Sequence, residues 1–190
     1  GSIIMAVYSL RLPTSVVKFD GAPQVPYREA LKVFMQPGLI LLCFLVFTAS
    51  MSHQFYYYGM SPFLRHIGFD KSSIMPAMSI GQLAEVLVLG MLGLCLMRLS
   101  TKQVIIIGLL AQGVRYLLFA QGGSTVFILI GIALHGICYA FIFTTAYLYV
   151  DQHSTPGTRA GTQQLFTMVI SGLGTLAANL GAGFIAQLLT

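Results

Sequence analysis

Charged side chains are scarce in this sequence of 190 residues. Asp, Glu, Lys and Arg make up 8% of it, against about 25% in soluble domains, whereas 56% of its residues are hydrophobic. Only five residues are acidic, and tryptophan is absent. So little charge cannot cover the surface of a water-soluble domain, which excludes an ordinary soluble enzyme or binding module.

Cysteine is also sparse, and Cys43, Cys95 and Cys138 each lie inside an apolar stretch. Their spacing fits neither a disulfide framework nor a zinc site, so we predict small core residues, no metal and no cofactor. The formal net charge is +5, but nearly all Lys and Arg residues lie in connections between apolar runs. We therefore interpret the basic residues as signs of membrane topology and predict no nucleic-acid partner.

Long apolar runs dominate the rest of the sequence. A bilayer-spanning helix needs about 20 apolar residues, and five such runs occupy 37–64, 72–97, 103–121, 124–150 and 160–189. We predict an all-α integral membrane bundle of about five transmembrane helices in a lipid bilayer. The shorter apolar run within 1–10 is interpreted as the end of a further transmembrane helix. Residues 11–36 form a polar connection, of which 27–34 are predicted to be a short surface helix.

The Lys and Arg residues predict the orientation of the bundle. Alternate connections, at 11–36, 98–102 and 151–159, contain seven of them, whereas the opposite connections contain only Arg65 and Lys71. By the positive-inside rule the first set faces the cytoplasm. Within 151–159, Asp151 and Arg159 are predicted either to pair as a gate latch or to belong to an ordinary solvated turn.

Glu85 is the outstanding polar residue inside an apolar run, because it lies near the centre of 72–97. Ionisable side chains at this depth are costly and usually mark a pathway or a site. Gln82 lies three residues earlier, on the same helical face. We predict that Glu85 binds substrate or couples proton movement, the alternative being a structural ion pair with Arg115.

A polar and aromatic stretch lies towards the end of 37–64. Gln54, Tyr57 and Tyr58 share one helical face there, and rings beside an amide group suit a flat heterocycle or a sugar. The alternative is an aromatic belt at the membrane interface. Gly59 and Pro62 are expected to weaken or kink the end of this helix.

His135 lies about midway along 124–150, with Tyr139 one turn later on the same face. We predict that it binds substrate or relays protons, the alternative being hydrogen-bonded packing. Arg115 is expected to snorkel or to form a structural pair rather than to contact substrate. The run 160–189 contains small residues that permit close helix approach, namely Gly172, Gly174, Ala177, Ala178, Gly181, Ala182 and Gly183.

Four segments together resemble a known family. They are GQLAE at 81–85, VRY at 114–116, HGICY at 135–139 and TAYLYVD at 145–151. In their order and spacing they are similar to the C-terminal half of the nucleoside:proton symporters of the major facilitator superfamily. In that family a Gln-x-x-Glu motif and a glutamine of helix seven line the substrate cavity, which carries over to Gln82, Glu85 and Gln54.

The resemblance implies a twelve-helix transporter that works by alternating access, with its cavity between two six-helix halves. Residues 37–190 would then be the C-terminal transmembrane bundle with helices seven to eleven, 11–36 the cytoplasmic middle loop and 1–10 the end of helix six. The implied partners are a nucleoside, protons and the N-terminal six-helix half of the same protein. The implied location is the plasma (inner) membrane of a bacterium.

Two other functions stay open at this point. A sugar or glycoside symporter would use the same cavity. An intramembrane enzyme would use Glu85 and His135 together with His53, although spaced ligand motifs such as His-Glu-x-x-His are lacking.

Overall fold

The structure, a computed structural model, describes residues 27–122 and 124–188. The predictions for residues 1–10 and for 11–26 lie outside this part of the chain. Regular secondary structure within the described part is entirely helical. The helices are α1 (Tyr27–Phe34), α2 (Pro37–His66), α3 (Lys71–Arg98), α4 (Thr101–Gln121), α5 (Thr125–Gln152) and α6, which consists of the consecutive segments Arg159–Thr167, Met168–Leu173 and Gly174–Leu188.

Helices α2 to α6 are each long and apolar enough to span a bilayer. This confirms the predicted all-α membrane fold with five transmembrane helices. The predicted runs and these helices differ by only a few residues at their ends. The predicted surface helix at 27–34 is α1.

Local chemistry fixes several helix ends. Pro37 stands at the start of α2, where its missing N–H costs nothing. The hydroxyl of Ser100 caps α4 by accepting from the backbone N–H of Gln103, whose side chain in turn accepts from the N–H of Ser100. Gly122 ends α4 in the left-handed conformation, with φ of 60°. The short connections that follow make neighbouring helices antiparallel.

Helix α2 continues past Pro62, and the expected weakening or kink at its end stays a prediction. It continues as helix to His66. The side chains of Met60 and Leu64, on either side of the proline, are buried in a cluster with the first turns of α3 and α5. This packing holds the helix together where one backbone hydrogen bond is lost.

Helix α5 lies at the centre of the bundle. In its most apolar stretch 56% of the residues are buried, compared with 11% in α3. Helices α3 and α4 both pack along the first part of α5, and α2 packs against the last segment of α6. Residues of α5 therefore face several helices at once.

The backbones of α3 and α5 touch at Gly136. A Cβ atom at Gly136 would overlap the backbone of Ala84 and Glu85, and one at Gly81 would lie 2.9 Å from the carbonyl oxygen of Ile132. Only glycine permits this approach, which is how small residues bring membrane helices together. The contact places Glu85 directly beside α5.

Two wide π-helical turns interrupt the α-helical hydrogen bonding, at 139–144 in α5 and 168–173 in α6. In both turns a side-chain hydroxyl donates a hydrogen bond to a backbone carbonyl. Thr145 Oγ1 donates to the carbonyl of Ala140 at 3.2 Å, and Ser50 Oγ donates to that of Ile170 at 3.0 Å. Turns of this kind occur frequently at functional sites.

Candidate substrate and proton site

Three transmembrane helices meet at the imidazole of His135. Its Nε2 atom lies 3.7 Å from Oε2 of Glu85 on α3 and 3.2 Å from the hydroxyl of Tyr57 on α2. His135 is 1% exposed, so this carboxylate and this imidazole meet inside the bundle. Because both contacts use Nε2, the tautomer of the ring decides whether this atom donates a proton or accepts one. The arrangement can hold or pass a proton among three groups.

A cluster of four rings surrounds this contact, formed by His53, Tyr57, His135 and Tyr139. The two imidazoles stack with centroids 4.8 Å apart. The ring of His53 also lies 5.1 Å from that of Tyr57 and 5.7 Å from that of Tyr139. Such closely packed rings fix one another's orientation. His53 thereby joins a site in which the resemblance did not place it.

The first cavity lies on one side of the ring cluster and has a volume of about 160 Å³. Helices α2, α3 and α5 enclose it. Its walls combine aromatic and thioether side chains with a few hydrogen-bonding groups, a composition typical of small-molecule sites. The lining residues are Tyr56, Tyr57, Met75, Met78, Ser79, Gln82 and His135.

The second cavity borders the ring cluster at His53 and Tyr139 and has a volume of about 220 Å³. Helices α2, α5 and α6 enclose it, and both π-helical turns border it. Its lining is richer in hydroxyl groups than that of the first cavity. The lining residues are Ser50, His53, Gln54, Tyr139, Phe143, Tyr147, Ile170, Ser171 and Thr175.

A half-buried carboxylate that contacts a buried imidazole next to two cavities fits a transporter, and comparison with known proteins gives the family. The family described as nucleoside H⁺ symporter matches residues 1–190. The chain belongs to this family. The resemblance noted from four sequence segments is thus confirmed, and the chain is an integral membrane protein of a transporter family.

Individual relatives agree with this assignment. The putative nucleoside transporter YegT of Escherichia coli (strain K12) is 27% identical over 183 residues, which cover 92% of this chain and 43% of YegT. The nucleoside permease NupG of the same strain is 27% identical over 117 residues, which cover 60% of this chain and 28% of NupG. NupG of Shigella flexneri matches to the same extent. The chain spans less than half the length of these relatives, and no solved structure matches it.

The predicted site residues of this chain divide between the two cavities. Gln82, Tyr57 and His135 line the first, and Gln54 and Tyr139 line the second. Glu85 contacts His135 at the ring cluster. Tyr58 is 58% exposed and lines neither cavity. The structure therefore gathers six of the predicted residues around the ring cluster and leaves Tyr58 outside it.

From the sequence, Arg115 is expected either to snorkel or to form a structural ion pair with Glu85, and the described helices show neither. It is 1% exposed, so it does not snorkel to the surface of the described helices, and the acid Glu85 contacts His135 instead. The guanidinium carbon lies 3.7 Å from the centre of the Tyr56 ring. Its Nε and Nη2 atoms have no hydrogen-bond partner among the described residues. Stacking on the ring of Tyr56, itself packed against His135, compensates part of the cost of burying this charge.

Sequence reasoning missed the contribution of α6 to the site. Ser171 and Thr175 line the second cavity, and the side chain of Gln54 donates from Nε2 to Oγ1 of Thr175 at 3.1 Å. Ser171, Thr175 and Asn179 follow at intervals of four residues, which is a polar stripe on an otherwise apolar helix. From the sequence, the glycine and alanine residues of the same run are interpreted only as sites of close helix packing.

The connection between α5 and α6 contains an ion pair. Arg159 Nε lies 2.8 Å from Oδ1 of Asp151, and Gln163 Nε2 donates to the same oxygen at 3.1 Å. The predicted pairing of the two charges is thus observed. Both partners are partly exposed, so the pair contributes little to stability by itself. Its role as a gate latch stays a prediction.

Metal ligands are not grouped in the described helices. Among residues 27–122 and 124–188, no three His, Cys, Asp or Glu side chains are placed to hold an ion. Cys43, Cys95 and Cys138 are free thiols, and Cys43 and Cys138 are buried.

Proposed function

We propose that the protein takes up nucleosides together with protons by alternating access. The observation that carries this proposal is the contact between Glu85 and His135, deep in the spans of a nucleoside H⁺ symporter family member and beside two polar cavities. The names of the relatives YegT and NupG support a nucleoside as the substrate. An ionisable group at this depth is costly and is kept where it serves a pathway.

In this proposal Glu85 is the proton-coupling residue. Its neighbour His135 lies 3.7 Å away, so a small approach would let the imidazole donate to a carboxylate or accept from a carboxylic acid, and the pair could accommodate both protonation states. The hydroxyl of Tyr57 shares the same imidazole nitrogen and holds the ring in place. A proton that enters down a membrane potential of about 100 mV contributes about 2.3 kcal/mol, enough for roughly fiftyfold accumulation.

The nucleoside is bound at the ring cluster and in the two cavities next to it. Gln82, Gln54 and His135 supply hydrogen bonds, and Tyr57 and Tyr139 supply ring faces. Tyr58, on the exposed side of α2, is proposed to contact the substrate from that side. The combination of flat faces and amide groups matches a ligand with a heterocyclic base.

A second half of the same protein completes the transporter in this proposal. Residues 37–190 are the C-terminal bundle, 11–36 the cytoplasmic middle loop and 1–10 the end of helix six, opposite an N-terminal six-helix half. The 43% coverage of YegT supports this division. Gln82, Tyr57 and Tyr58 are exposed in the described helices, where a second half would close over them. The bacterial sources of the relatives support the inner membrane as the location.

Counterflow tests the proposal. Full-length protein is reconstituted into liposomes loaded with unlabelled uridine, and labelled uridine is added outside without a proton gradient. We expect the label to accumulate transiently above its equilibrium level, because a carrier exchanges one substrate for the other. Protein-free liposomes are the control. Absence of counterflow for uridine and other nucleosides, with counterflow of a methyl glycoside instead, would replace this proposal by the sugar symporter.

A further inference from the structure

Helix α6 supplies two hydroxyl groups to the second cavity that have no assigned role. Ser171 lies in the π-helical turn 168–173, and Thr175 follows one turn later. The widened turn changes the direction in which its residues face, and it lies against α2 through the hydrogen bond from Ser50 to Ile170. Polar side chains on a transmembrane helix that face a cavity are candidates for ligand contact.

The hydrogen-bonding capacity of these groups is only partly used. Thr175 Oγ1 accepts from Gln54 Nε2 at 3.1 Å, which leaves its own hydroxyl proton available. The hydroxyl of Ser171 has no hydrogen-bond partner within the described part of the chain. The second cavity thus offers a ligand both donors and acceptors.

The two cavities differ in the chemistry they can recognise. The first pairs rings and thioethers with the planar amide of Gln82, which suits a flat base with a fixed pattern of donors and acceptors. The second presents several rotating hydroxyls, each of which can donate or accept. Sugar hydroxyls have the same dual capacity and vary in direction, so rotating partners suit them.

We propose that the second cavity binds the 2′- and 3′-hydroxyls of the nucleoside sugar, with Ser171 and Thr175 of α6 as direct partners. This inference rests on the proposed nucleoside transport. It assigns the base to the first cavity and the sugar to the second, both of which border the ring cluster. It also makes α6 a wall of the binding site and not only a packing helix.

Binding measurements on the full-length protein test this division. The dissociation constants of uridine and of 2′,3′-dideoxyuridine are measured for the wild type, Thr175→Val and Ser171→Ala. Valine keeps the branched shape of threonine without its hydroxyl. Thr48→Val is the matched control, because Thr48 lies on α2 outside both cavities and its hydroxyl bonds only the carbonyl of Phe44.

We expect each α6 variant to weaken uridine binding about five- to thirtyfold, the usual effect of losing a hydrogen bond to a ligand. Binding of the dideoxynucleoside should stay within about twofold, since it lacks the hydroxyls concerned. Equal losses for both ligands, or no loss for uridine, would overturn the sugar subsite alone. A wild type that binds no nucleoside would overturn the proposed function and the subsite with it.

Discussion

Helices α3 and α5 are alike in sequence character and opposite in position. Each has 28 residues, and they are the two most apolar spans of the chain, yet 56% of the most apolar stretch of α5 is buried against 11% for α3. Both contain several glycines, but only some of these lie in helix contacts. Gly90 and Gly93 of α3 face open space, whereas Gly136 of α5 touches the backbone of α3. Apolar composition places both helices in the membrane, but close backbone contacts with neighbouring helices place α5 at the centre of the bundle.

The candidate site forms where the peripheral and the central helix meet. Glu85 comes from α3 and His135 from α5, and the glycine contact at Gly136 brings their side chains within 3.7 Å. Glu85 of the peripheral helix is thereby placed at the ring cluster, whereas the acidic residue of the central helix, Asp151, lies near the end of that helix. Mutations in α3 and in α5 can therefore test how this contact forms and what it does.

The largest effect is expected for Gly136→Val. The new side chain would overlap the backbone of Ala84 and Glu85, which cannot move aside like a flexible side chain, so α3 and α5 must separate. We expect loss of folded full-length protein, measured as the yield of the monodisperse peak in size-exclusion chromatography.

The matched control is Gly90→Val on α3, where a Cβ atom meets nothing within 4 Å. It carries the same cost of placing valine in a helix. Equal yields for Gly136→Val and the wild type would show that the close approach of the two helices is not required for folding.

Glu85→Gln should abolish uphill transport while the protein folds. Glutamine keeps the shape of the side chain and can still bond His135, but it cannot exchange a proton. We expect uridine counterflow to persist and accumulation driven by a pH gradient to disappear. The control is Glu29→Gln, which removes the exposed carboxylate of α1 outside the transmembrane helices. Normal accumulation by the Glu85 variant would assign proton coupling to another residue.

A smaller effect is expected from truncating a buried side chain of α5, compared with an exposed side chain of α3. Ile132 of α5 is 0% exposed and Leu87 of α3 is 69% exposed. Ile132→Ala leaves a cavity and should destabilise the protein by about 2 to 5 kcal/mol, whereas Leu87→Ala should change stability by less than about 0.5 kcal/mol. The midpoint of thermal unfolding in detergent measures both. A comparable loss for the two variants would indicate that the outer face of α3 is covered in the full-length protein.

Several parts of the site were predictable because they depend on local pattern. The depth of Glu85 in an apolar run, and the spacing of Gln82 before it, can be read directly from the sequence. The position of His135 midway along its run is equally clear. The partner of Glu85 was not predictable, because Arg115 and His135 both lie on helices that can approach α3. The burial of Arg115 under Tyr56 follows from side-chain packing that no periodicity encodes.

The membrane environment, the number and approximate ends of the helices and the family follow from composition, run length and ordered motifs, so they can be read from the sequence. The central position of α5, the division of the predicted residues between two cavities and the contribution of Ser171 and Thr175 from α6 emerge only in the folded bundle. The π-helical turns belong to the second group as well. The reason is physical: hydropathy measures transfer of each helix into lipid, whereas the contacts between helices depend on shapes that only the assembled bundle brings together.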